Sequence, residues 1–157
     1  MKTKFTIEPG RQDIISERTF DAPIDKVFST FVDPDKVKQW WGGRKYQTEI
    51  EVYEPKAGGS WKFVQTDTDG NKWSFHGVVH EVNPVEHRVI QTFEFDGLPE
   101  KGHVAMDTMT LTEQDGKTTM RTVSVFQSVE DRDGMVASGM QDGSDEGLDV
   151  FASLVEE

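Results

Sequence analysis

Two repeating patterns of apolar positions divide this chain. Residues Asp13 to Phe20 read as a first strand. Asp21-Ala22-Pro23-Ile24 then supplies a helix start, because proline fits the first turn, where its missing N–H is not needed, and Asp21 or Ala22 can cap. Ile24, Val27, Phe28 and Phe31 follow at helical spacing. Asp33-Pro34 repeats the start signal. Val37, Trp40 and Trp41 give a second short helix its apolar side, and Gly42-Gly43 ends it. From Tyr46 to Ser128 the period changes to two. The predicted strands are 47–53, 60–66, 72–82, 88–95, 103–113 and 118–127. Turn residues separate them: Pro55 to Gly59, Asp69-Gly70-Asn71, Asn83-Pro84 and Asp115-Gly116, the last with the positive φ that tight hairpins require. From about Val129 the spacing of Val136, Met140, Val150, Phe151 and Leu154 predicts one long helix. Gly134, Gly139, Gly143 and Gly147 each weaken it by roughly 1 kcal/mol against alanine, so it must be held by packing. The expected fold is α+β. A curved antiparallel sheet of seven strands wraps one long C-terminal helix, with two short helices between strands one and two. All 157 residues are expected in a single domain.

Alternation also predicts an inner face. Trp61 with Phe63, Phe75 with Gly77, and Phe93 with Phe95 share strand faces, and these are assigned to the concave side. Met109, Leu111 and Val123 are read as inward too. Adjacent Trp40 and Trp41 cannot point the same way, so one can close the core and the other line a cavity mouth. Gly139, Gly143 and Gly147 form one ridge of the final helix. That ridge permits close approach or leaves room for a ligand, and Met140 beside it is an adaptable filler. The candidate ligand-binding residues are Trp40, Trp41, Trp61, Phe63, Phe75, Phe93, Met109, Met140, Gly143 and Phe151. Plain core packing is the competing reading of the same set.

Charge narrows the partners. Seventeen Lys and Arg stand against 29 Asp and Glu, a formal charge of -12. Such a surface repels phosphate backbones, so nucleic acid is not an expected partner. From Ser128 to Glu157 nine acids face one base, Arg132, which is a solvated face or a docking surface for a basic partner. No apolar run approaches the roughly 20 residues of a membrane span. The opening lacks the apolar core of a signal peptide, so a cytoplasmic location without membrane insertion is expected. With no cysteine there is no thiol nucleophile, disulfide or thiolate metal site. His76 and His80 would lie about 13 Å apart on a regular strand, too far to share a metal without a bulge. No metal or cofactor is expected. No serine-nucleophile elbow or phosphate-binding loop is present. Asp107, Arg121, His76 and Glu17 are the groups an enzyme could use, and an inward pair of Asp107 with Arg121 would mark a polar end for a ligand. The edge strands leave monomer or homodimer open.

The ordered set Asp21-Ala22-Pro23, Val27-Phe28, Phe31, Asp33-Pro34 and Trp40-Trp41-Gly42 resembles the START-like (SRPBCC) superfamily. Within it, the chain is most similar to the family named after the activator of heat-shock-protein-90 ATPase. Gly58-Gly59-Ser60-Trp61-Lys62-Phe63, Gly77-Val78-Val79 and Ser138-Gly139-Met140 continue the likeness, which runs from about Asp13 to Leu154. The resemblance implies a helix-grip fold with a cavity between sheet and C-terminal helix. It does not imply one activity, since members include carriers, cyclases and chaperone regulators. The expected function is binding of a small apolar molecule. A cyclase, dehydratase or hydrolase on the same cavity, and a chaperone-ATPase regulator, are the alternatives.

Overall fold

The computed structural model describes residues 2–156. The elements in chain order are β1 (Lys4–Thr6), β2 (Asp13–Phe20), α1 (Ile24–Phe31), α2 (Pro34–Trp40), β3 (Gln47–Tyr53), β4 (Ser60–Thr66), β5 (Lys72–Asn83), β6 (Arg88–Phe95), β7 (Val104–Gln114), β8 (Lys117–Val125), α3 (Val129–Ala137) and α4 (Met140–Val155). The strands form one antiparallel sheet in the order β1-β2-β8-β7-β6-β5-β4-β3. This is the helix-grip arrangement, with eight strands rather than seven. The extra strand is β1, three residues paired with the middle of β2, too short to show a period of its own.

Local chemistry explains the helix ends. Pro23 stands at the N-cap of α1, one place earlier than the first-turn position expected for it. Asp33 caps α2 by accepting the Asp35 N–H at 3.0 Å. Gly42 and Gly43, at φ +85 and +88, take the left-handed turn that stops it. The single C-terminal helix predicted from Val129 is in fact two. α3 ends at Ala137, Gly139 adopts φ +84, and α4 restarts at Met140. Gly139 is therefore not part of a helical ridge. It is the hinge that lets α3 and α4 cover different parts of the sheet.

Three apolar clusters hold these layers together. The first joins the second half of α4 (Phe151, Ala152, Val155) to α1 and to Phe20, Val89, Met109, Leu111 and Met120. The second joins Val37 to Trp61, Phe63 and Val79. The third sets Ile14, Ala105 and Phe126 beneath Met135, Val136 and Met140 of the α3–α4 junction. Two buried arginines pin helices to strands. Arg132 of α3, 2% exposed, donates to the Asp13 and Glu8 carbonyls at 2.9 and 2.8 Å and to Asp133 at 3.0 Å. Arg18 of β2 donates to Asp149 of α4 at 2.8 Å, with Asp145 at 3.6 Å. That bond holds the Asp149 carboxyl below its usual range.

Candidate functional site

The site is the concave face beneath α2, α3 and α4. Its aromatic end is built by register. Phe63 pairs with Phe75 and Phe75 with Phe95 on neighbouring strands, so all three project to one side. Trp41 closes over them, its ring 5.1 Å from both Phe63 and Phe75 and 6.1 Å from Trp61. Trp40 turns the other way and packs edge-on against Phe151 at 5.3 Å. The two rings thus point in different directions, Trp40 bridging the first and second clusters and Trp41 packing on the second. The Trp40 indole nitrogen is buried without a hydrogen-bond partner. Trp61 donates its indole N–H to the Thr92 carbonyl at 2.9 Å. A Cβ on Gly77 would sit 2.4 Å from that indole nitrogen and 2.0 Å from the same carbonyl. The room Gly77 makes is therefore filled by Trp61.

The candidate residues fall into two groups. Trp61, Phe63, Met109 and Phe151 are closed off, none more than 3% exposed, and form the walls. Trp40, Trp41, Phe75, Phe93, Met140 and Gly143 are only half-buried. Gly143 and Gly147 face the end of α2 rather than the sheet. A Cβ on Gly147 would lie 2.7 Å from the Trp40 carbonyl, whereas one on Gly143 would meet only the Gly42 carbonyl at 4.0 Å.

A polar row crosses the middle of this face. Gln91 pairs with Asp107, Asp107 with Ser124, and Ser124 with Ile14. One inward step along the strands on one side stand Val89 and Met109 of the first cluster. On the other side stand Phe93 and Ala105. Burial pushes the Asp107 carboxyl up to about 6, with Ser124 pulling more weakly the other way and no cation contributing. Yet Gln91, Asp107 and Ser124 all keep part of their surface uncovered. Two hollows, of about 380 and 330 Å³, open on the outside. One is lined by Pro34, Asp35, Lys38 and Thr48 to Ile50, the other by Gly10 to Asp13 and Val125.

Two expectations need correction here. Val123 does not face inward. Thr118 and Met120 are the buried residues of β8, so the inner face carries Thr122 and Ser124, and Val123 lies outside with exposed Val125. The pattern misled because the inner face of this strand is the more polar one. Asp107 does not pair with Arg121 either, since Arg121 is exposed on the outer face opposite Glu17. His76 also lies outside, its Nδ1 2.6 Å from Asp96. The four groups an enzyme could use are therefore not brought together. A bulge does occur between Val79 and Glu81, at His80. Among the described residues, however, no three His, Cys, Asp or Glu side chains are placed to hold a metal.

The family model for activator of Hsp90 ATPase homolog 1-like proteins matches residues 21–156. The chain belongs to this family. Solved structures agree on the fold. Protein Ms6760 from Mycobacterium smegmatis superposes with a TM-score of 0.86 at 21% identity, over 98% of this chain and 96% of that one. Protein CV1439 from Chromobacterium violaceum gives 0.82 at 23% identity, over 93% and 98%. Ara h 8.0201 gives 0.65 at 16% identity, over 90% and 96%. No curated protein matches the chain. Among the described residues, no helix of this family member is long and apolar enough to cross a membrane.

Proposed function

We propose that this protein binds a small, mainly apolar molecule between the concave sheet face and the α2, α3 and α4 helices. The observation that carries the reading is the half-buried state of Trp41, Phe75, Phe93 and Met140. Phe75 and Phe93 of the sheet face Trp41 and Met140 of the covering layer, and closely packed interiors do not leave such groups uncovered without cause. Burying 300 Å² of apolar ligand surface would contribute about 7 kcal/mol before association costs, which makes micromolar affinity attainable. The α3–α4 hinge at Gly139 supplies the element that can move to admit the molecule. A thermal-shift and calorimetric series with naphthalene-sized aromatic compounds tests the reading. Saturable binding that weakens in Phe93→Ala supports it, and no binding across the series rejects it.

Family membership favours one second reading, a regulator of a chaperone ATPase. Turnover of purified Hsp90 with and without the protein tests it. A changed rate supports regulation, and an unchanged rate at saturating protein rejects it.

A further inference from the structure

Inside the apolar face, the row Gln91–Asp107–Ser124 is a feature that apolar packing does not explain. Asp107 points inward on β7, between the buried Met109 and Ala105. The two buried arginines are committed elsewhere, Arg18 to Asp149 and Asp145, and Arg132 to Asp133 and two carbonyls. Across the ladder the register neighbours of Asp107 are Gln91 and Ser124, an amide and a hydroxyl side chain rather than a cation. An acid placed in such surroundings without a cation is costly, and a ligand can supply what the fold does not. The geometry points to an apolar ligand with a single protonated amine, its cation held by the Asp107 carboxylate and its remaining N–H groups directed to Gln91 and Ser124. This rests on the binding reading above and specifies the ligand class for that site.

The chemistry favours a cation over the alternatives. An ionised carboxylate only accepts hydrogen bonds, so it discriminates for donors and against anions. Phe93 and Phe75 on the same inner face, with Trp41 and Met140 packed over it, suit an aromatic or aliphatic body. Burial that lifts the Asp107 carboxyl is the penalty that pairing with an ammonium would relieve.

The test uses three probes of one shape: 1-naphthylmethylamine, 1-naphthalenemethanol and 1-naphthoic acid. Each is titrated calorimetrically into the full chain and into Asp107→Asn at about pH 7.5, where the carboxyl is ionised. Salt is raised in a parallel series to screen attraction to the acidic surface. The expected result is binding of the amine about tenfold tighter than the alcohol, weaker binding of the acid, and loss of the amine preference in Asp107→Asn with alcohol binding retained. Equal affinity for amine and alcohol overturns the inference while leaving the apolar-binding reading intact. An amine preference that survives in Asp107→Asn, or vanishes with salt, also overturns it, since the general acidic field would then be its source. No binding of any probe overturns both. The wild-type comparison stands even if the variant folds poorly.

Discussion

Asp107 and Arg132 show what single buried ionisable residues do in this fold, with opposite signs. The Asp107 carboxyl sits at about 6 in the folded protein, above its unfolded value near 3.8. Its ionised form is thus disfavoured by folding. The penalty is fully present above pH 6 and disappears as pH falls toward 3.8. Asp107→Asn is expected to stabilise the protein by about 2 kcal/mol near neutral pH and by little near pH 4. Urea unfolding at both pH values checks this, and a uniform effect at both would refute it. Arg132 is the reverse case. Its guanidinium holds two main-chain carbonyls of the N-terminal region, so Arg132→Met leaves those acceptors without their donor. A loss of about 3 kcal/mol is expected in the same assay. His103 is raised by its hydrogen bond to Asp131 on α3. That contact favours the folded state below the ordinary histidine pKa and stops contributing as pH rises through the raised one.

Among the elements, α4 carries the sharpest contrast. Gly143 and Gly147 both cost helix stability, but only Gly147 is required by packing. Gly143→Ala is expected to raise stability by about 1 kcal/mol, because its Cβ enters nearly open space. Gly147→Ala is expected to lower it by about 2 kcal/mol, because its Cβ would meet the rigid Trp40 carbonyl at 2.7 Å. Thermal unfolding of the two variants separates these cases. The sequence makes such elements legible unevenly. All seven predicted strands and both short helices fall within about two residues of where period and turn chemistry place them. The break at Gly139 was hidden because Met135, Val136 and Met140 keep an apolar spacing across it while its left-handed φ leaves no mark in that pattern. β8 was read inside out for a physical reason. Beyond Met120 its inner face carries Thr122 and Ser124 while Val123 and Val125 face outward, which inverts the ordinary relation between polarity and burial in that half of the strand. Gln91 was reachable, since it shares the face of Phe93 and Phe95. Ser124 was not, and with it the polar row as a unit.

For the molecule as a whole, the fold was readable from the order of its elements, but its use depends on volume, and volume has no one-dimensional signature. The acidic C-terminal region illustrates the same limit. Its charges look free in the sequence, yet Asp145 and Asp149 meet Arg18, Asp131 meets His103, and Asp133 meets Arg132. Asp145 and Asp149 thereby join α4 to β2, and Asp131 joins α3 to the residue before β7, instead of facing a partner. Three apolar clusters hold the covering helices, and the row Gln91–Asp107–Ser124 lies between the first and the third. The measurement that bears most directly on this picture is an amide and methyl NMR titration of the full chain with 1-naphthalenemethanol. Saturable shifts are expected at Gln91, Phe93, Asp107 and Met140, spreading to the hinge at Gly139. Shifts confined to the outer hollows at Pro34–Ile50 or Gly10–Asp13, or none at all, would contradict it.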